Sequence, residues 1–305
     1  MSKLGLALGG GGARGLAHIG VLKVLDAEKI RISAITGCSM GALVGGLYAY
    51  YGDAIQVEEF ILRIIRDPKF IRLGIDKLNE KPKQRDKNYF EQFVDFVGTR
   101  LQALKSLSRL SYFDESITGE FYGIIPDVSI ETLGVSFSAI ATDLLSGEEI
   151  TFAEGSLRKA IRASSAIPGI FPPVKYDPYL LVDGSASESV PAGKVKDLGA
   201  DRVVAVDVTR CLKVVGHTKN ILDILYRTED ITSFHLSMVR LKEADMIIRP
   251  QVRELSWADF DKVEEIIAAG EIAARKSLSD IKRLAHRSSL LVEIDHFIQR
   301  LQRDH

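Results

Sequence analysis

The chain has 305 residues, enough for one large domain or a domain with an extension, and 46% of them are hydrophobic, enough for a substantial core. Its 40 basic and 41 acidic side chains give a net charge of −1, so it lacks the basic surplus that a nucleic-acid binder needs. Its two cysteines, Cys38 and Cys211, lie far apart and show no metal-ligand spacing, so neither a disulfide framework nor a zinc site is suggested, which fits a reducing, cytoplasmic compartment.

In chain order, Lys3–Leu8 is a short apolar run that ends in glycines and reads as a buried strand; it is too short to serve as a secretory signal. Leu16–Glu28 places Ile19, Leu22 and Leu25 on one face of a helix. Ile32–Thr36 reads as a second strand and Met40–Tyr51 as a second helix. The uncharged stretch Ile32–Gly52 is long enough to span a bilayer, but its glycines, Ser33, Thr36 and Ser39 favour a buried strand, turn and helix. Residues 53–130 form a helical insertion. It contains the charged connection Lys77–Lys87, then Phe90, Phe93, Val94, Val97, Leu101 and Leu104 at helical spacing.

Strands are expected again at Gly134–Ala141, Glu149–Phe152, Tyr179–Val182, Arg202–Val206 and Asp245–Ile248. Helices are expected at Ser156–Ala163, Ile221–Lys242 and Asp259–Leu284. The tail Ser289–Leu301 is amphipathic. The order of strands and helices predicts a three-layer α/β/α fold with a mostly parallel sheet. A catalytic domain would span 3–210, and a mainly helical extension, 211–305, would pack on it.

Two motifs carry chemistry. Gly9–Gly15, GGGGARG, lies between a strand and a helix, where successive backbone N–H groups can point at one anion. A nucleotide phosphate would need Lys-Ser/Thr where Arg14 and Gly15 stand. A dinucleotide would need an acid where the second strand ends in Thr36, Gly37 and Cys38. The remaining anion is the oxyanion of acyl transfer. Gly37-Cys38-Ser39-Met40-Gly41 then decides, because G-x-S-x-G between a strand and a helix is the context of a nucleophile elbow.

A serine needs a base. His18, His217, His235, His286, His296 and His305 are not placed in a strand-end loop followed by small residues. Asp183 closes the strand YLLVD and is followed by Gly184, and it is the better candidate. Burial against apolar neighbours such as Leu181 or Phe171 would raise its pKa toward a useful value.

These blocks resemble the patatin-like phospholipases, whose domain also occurs in neuropathy target esterase. The resemblance rests on Gly10–Gly15, the elbow Gly37–Gly41 and Asp183-Gly184, with GLAHIGVLKVL and ASSAIPGIFPPV as supporting stretches. It implies hydrolysis of lipid or fatty acyl esters through a Ser39–Asp183 dyad and an acyl-enzyme, with no metal or cofactor. It also implies an oxyanion hole made by the N–H groups of Gly10, Gly11 and Gly12, with Arg14 bracing the loop or an anionic substrate. Its members carry Asp-Gly-Gly or Asp-Gly-Ala in the third block, where this chain has Asp183-Gly184-Ser185, and an asparagine where it has Ser187, Glu188 and Ser189.

The partners implied are an acyl-ester substrate and a peripherally contacted membrane, with no nucleic acid; the oligomeric state is not encoded in any motif. The rival readings are an α/β-hydrolase with a Ser-His-acid triad using His217 or His235, and a non-catalytic lipid- or nucleotide-binding module.

Overall fold

The computed structural model describes residues 2–73, 111, 113–209, 212 and 221–286. The Lys77–Lys87 connection, the Phe90–Leu104 pattern, His217, His296, His305 and the Ser289–Leu301 tail lie outside them.

Strand β1 (Leu4–Leu8) is an inner strand of an eight-stranded sheet, flanked in parallel by β2 (Ile32–Cys38) and β7 (Arg202–Val206). All five of its residues are buried, because helices cover both faces, and such strands read as continuous apolar runs. Its side chains alternate in size. Leu4, Leu6 and Leu8 face the main core, while Gly5 and Ala7 face a shallower one with Val190, Val195 and Val203. A Cβ on Gly5 would stand 2.2 Å from Val195 Cγ1, so the residue there must be small. Beyond β7 the sheet continues with β8 (Met246–Ile248), parallel, and so crosses the expected 210/211 boundary.

The main core lies between the sheet and helices α1 (Ala17–Ala27), α2 (Met40–Tyr51) and α3 (Ala54–Arg66). The uncharged stretch Ile32–Gly52 is β2, a turn and α2, and Gly52 ends α2 in the left-handed conformation at φ 69°. No helix of the described residues is long and apolar enough to cross a membrane. Asp53 caps α3 through Ile55 and Gln56 N–H. The insertion contributes α3 and, among its other described residues, α4 (Pro68–Leu73) and α5 (Glu115–Tyr122).

Strand β3 (Ser136–Asp143) fixes the functional end of the molecule. One edge pairs with β4 (Glu149–Phe152), antiparallel. The other edge is shared. Parallel β2 pairs along it up to Cys38 opposite Ile140, and antiparallel β6 (Tyr179–Asp183) takes over with Asp183 opposite Ala141. The C-terminal ends of β2 and β6 therefore meet, one residue apart along β3. Helix α6 (Leu157–Ser164), capped by Ser156, follows β4.

Two details differ from the sequence reading. The proline-rich segment ends in a strand, β5 (Val174–Tyr176), which forms a hairpin with β6 around Asp177-Pro178. Three residues are too few to show a period. After the short α7 (Lys194–Asp197) and the long α8 (Ile221–Arg240), the expected helix 259–284 is two helices. These are α9 (Val263–Lys276) and α10 (Leu278–His286), with Ser277 between them donating its N–H to Ala273 and Ala274. The apolar spacing runs through the break, so periodicity alone does not reveal it.

Helix α9 crosses α1 at backbone contact. A Cβ on Gly20 would stand 2.0 Å from Ile267 O, and one on Gly270 2.0 Å from Ala17 O. Gly20→Ala gains about 1 kcal/mol of helix propensity but forces the helices apart. Overpacking costs about 1–3 kcal/mol, and here the obstacle is rigid backbone, so the net effect is expected to be destabilising. A lowered urea midpoint checks this; a raised one would contradict the close crossing.

Candidate active site

The elbow is built by one unusual backbone conformation and two close approaches. Ser39 follows β2 with φ 52° and ψ −120°, a conformation that costs about 1–3 kcal/mol outside glycine. A Cβ on Gly37 would lie 2.4 Å from Gly41 O, and one on Gly41 would lie 2.0 Å from Leu8 O. Both positions of G-x-S-x-G thus need glycine for space. The Ser39 N–H donates to Ser164 Oγ at 2.9 Å, at the end of α6. Sequence reasoning passed over Ser164; its one signal is a small polar residue inside an apolar block, ASSAIP.

Because β2 and β6 abut, Ser39 and Asp183 come together, 5% and 3% exposed. Burial pushes the Asp183 carboxyl above its ordinary range. Hydrogen bonds from the Ser185 hydroxyl, the Ser39 side chain, the Ser185 N–H and the Cys38 thiol partly offset this. The Asp183 N–H is held by Ala166 O at 2.9 Å. Gly184 has no room for a side chain, since a Cβ would meet Ile140 O at 2.4 Å.

The glycine loop lies over this pair. A Cβ on Gly10 would stand 3.4 Å from Ser39 Cβ. The Gly10 N–H, however, donates to Ser189 O at 2.9 Å, so the expectation that it holds an oxyanion is not met: that donor is already used. Among the described residues the N–H groups of Gly11 and Gly12 make no hydrogen bond. Gly12, at φ 57°, and the Ala13 N–H, which donates to Trp257 O at 2.7 Å, press against the backbone of Trp257. Gly15 leaves space for Met40, whose Cγ would lie 2.5 Å from a Cβ there.

Arg14 braces the loop. It is buried, with Nε donating to Val208 O at 3.0 Å and Nη1 to Leu255 O at 3.1 Å. Thr36, where a dinucleotide reading wanted an acid, instead bonds Ser138 across β2 and β3 at 2.9 Å.

A cleft of about 650 Å³, its open mouth included, starts at Ser39 and is lined by no charged side chain among the described residues. Ile61 and Ile64 of α3, Phe121 of α5 and Phe171 line it together with Trp257 and Phe260. Trp257, the chain's one tryptophan, belongs to the part expected to be an extension, and no motif marked it for the site.

The described histidines stand elsewhere. His235 and His286 are exposed. His18 is buried, with Nε2–H donating to Gly9 O at 2.8 Å and Nδ1 unpartnered among the described residues. Among those residues no cluster of His, Cys, Asp and Glu is placed to hold a metal ion. The arrangement sets a serine side chain beside a buried carboxylate, with the Gly11 and Gly12 N–H groups nearby and an apolar cleft.

A family model described as patatin-like phospholipase matches residues 6–195. A protein of the NTE family from Mycobacterium tuberculosis is 35% identical over 217 residues, covering 68% of this chain and 49% of the relative. Neuropathy target esterase sws of Drosophila melanogaster is 31% identical over 209 residues, covering 68% of this chain and 13% of that protein. The chain thus spans about half the length of the first of these relatives, and less of the second. Among solved structures, VipD from Legionella pneumophila has a TM-score of 0.49 at 14% identity, covering 92% of this chain and 67% of that one.

His18 gives the fold a pH signature in stability. Burial pushes its imidazole down to about 4, so between pH 6.5 and 4 the unfolded chain binds more protons than the folded one. Its contribution is complete above pH 6.5 and is lost as pH falls toward 4, by about 3 kcal/mol in all at 1.36 kcal/mol per unit. Urea melts at several pH values are expected to show a shallower acid-side loss for His18→Gln than for the parent. Equal slopes would mean that His18 is not held neutral.

Proposed function

This chain belongs to the patatin-like phospholipase family, and we propose that it is a lipid acyl-ester hydrolase working through Ser39, Asp183 and an acyl-enzyme. The observation that carries the reading is the junction of β2 and β6, which sets the Ser39 side chain beside a buried carboxylate at the edge of an apolar cleft.

In this reading Ser39 Oγ attacks the ester carbonyl carbon while Asp183 accepts its proton. The carbonyl oxygen becomes negative and takes hydrogen bonds from the Gly11 and Gly12 N–H groups. The intermediate collapses, the bond to the alcohol breaks, and Asp183 returns the proton to the leaving oxygen. The acyl group stays on Ser39, its chain in the cleft. Water then attacks, giving a proton to Asp183. The fatty acid departs as Ser39 Oγ takes that proton back.

An ordinary exposed carboxylate, with a pKa of about 3.9, is a weak base toward a hydroxyl. The dryness of Asp183 raises its value and makes it stronger. The same dryness sets the stability of the variant. A carboxyl raised on folding destabilises the folded state at neutral pH, so Asp183→Asn is expected to melt no lower than the parent.

Hydrolysis of a soluble p-nitrophenyl ester tests the reading. Ser39→Ala is expected to be inactive. Asp183→Asn is expected to stay folded and to lose about 10²–10⁴ in kcat/KM, the range of a general base. His235→Gln and His217→Gln are expected to keep most of the activity. An active Asp183→Asn, or a histidine variant as dead as Ser39→Ala, would return the Ser-His-acid triad.

The hole is tested by Gly11→Ala. The added Cβ would sit 3.0 Å from Val208 Cγ2 and push the loop off its position. The expected result is a fall in kcat of up to about 10²–10³, the cost of one lost donor, with KM little changed. Full turnover would place the hole elsewhere.

A further inference from the structure

The Ser185 hydroxyl has no part in the steps above, yet it rests on the carboxylate at their centre. Ser185 Oγ donates to Asp183 Oδ1 at 2.5 Å, and the Ser185 N–H donates to the same oxygen at 2.8 Å. Cys38 Sγ reaches Oδ1 from β2 at 3.7 Å. Three donors thus converge on one carboxylate oxygen, and two of them belong to one residue.

The hydroxyl is fixed in that place. A Cβ on Gly10 would lie 2.8 Å from Ser185 Oγ, so the glycine loop closes over it, and Cys38 Sγ lies 3.6 Å away on another side. The turn beneath is tied by the Ser187 and Glu188 N–H groups to Gly184 O and by the Ser187 hydroxyl to Thr142.

We propose that Ser185 is a positioning residue that pins Oδ1 of Asp183, leaves Oδ2 to deal with the serine proton, and sets the pH at which the carboxylate becomes a working base. This rests on the dyad reading. A hydrogen bond to a carboxylate favours its charged form. Burial drives the Asp183 carboxyl upward, and among the hydrogen bonds that pull it back the Ser185 hydroxyl comes first. The Ser185 hydroxyl thereby offsets part of what burial does to Asp183.

Other ionisable groups face Asp183 or its neighbour Cys38. Burial pushes up the Cys38 thiol of β2 and the Tyr122 phenol of α5, beside which Arg162 of α6 stands, so both stay neutral. Glu188, along the same loop, acts on Cys38. It is raised by burial to about 8, among Arg240 of α8, Glu149 of β4, Glu243 and Lys194 of α7.

The test is the pH profile of kcat/KM on a soluble p-nitrophenyl ester. A hydrogen bond to a charged group is worth enough to move a titration by roughly one pH unit. Ser185→Ala is expected to shift the acid limb upward by that amount, so its rate falls about tenfold there and much less on the plateau. Ser185→Thr, which keeps the hydroxyl, is expected to restore the parent limb. Ser185→Gly removes the same hydroxyl and is read in place of Ser185→Ala if the latter does not fold.

An unshifted limb in the hydroxyl-less variant, with the rate unchanged or lowered equally at every pH, would overturn the proposal and leave Ser185 a packing residue. Asp183→Asn run alongside separates the two readings. If it stays active, the dyad itself has failed; if it is inactive while the Ser185→Ala limb stays put, only the role of Ser185 has.

Discussion

Strands β2 and β6 never pair with each other, yet they share one edge of β3 and point their C-terminal ends at the same spot. At that spot both must leave the sheet at once, and two chains turning away within one residue of each other leave almost no room. Glycine at 37, 41 and 184 relieves crowding of the two turns against α2, β1 and β3, where a Cβ would strike Gly41 O, Leu8 O and Ile140 O. The positive φ of Ser39 answers it too, turning the chain sharply into α2 with the hydroxyl toward Asp183. The glycine loop after β1 lies over the junction, and the Trp257 segment closes on the loop. Each piece of the site is placed by a sheet register.

The junction is costly to fold. An elbow residue outside its preferred backbone region carries about 1–3 kcal/mol, and Asp183 is a carboxylate drawn out of water with hydroxyls, an amide and a thiol as its hydrogen-bond partners. The core on either side offsets this. β1 is buried throughout, and the crossing of α1 and α9 brings backbones into contact. In the proposed reaction the unfavourable part is the useful part. A better-solvated Asp183 would fold more easily and be a poorer base, and Ser185 sets the compromise between the two.

Much of this was legible in the sequence where a short pattern has one physical meaning. β1 announces itself because a strand covered on both faces is apolar throughout, and G-x-S-x-G between strand and helix leaves few alternatives. Asp183 stood out as an acid ending an apolar strand before a glycine. What was not legible depends on distant partners. The use of the Gly10 N–H by Ser189 O requires knowing that residue 189 returns to the glycine loop. Ser164 supports Ser39 across 125 positions of chain. Trp257 lines the cleft from a part that carries no motif, and the break at Ser277 hides inside an unbroken apolar period. Local chemistry is written in neighbouring residues, whereas the satisfaction of a given N–H is settled by the tertiary fold.

Covalent labelling with a fluorophosphonate, followed by peptide mapping, tests the central claim most directly, because only an activated serine reacts. The account predicts a single adduct on Ser39 in the parent protein and none in folded Asp183→Asn. An adduct on another residue, or undiminished labelling of Ser39 in Asp183→Asn, would contradict it.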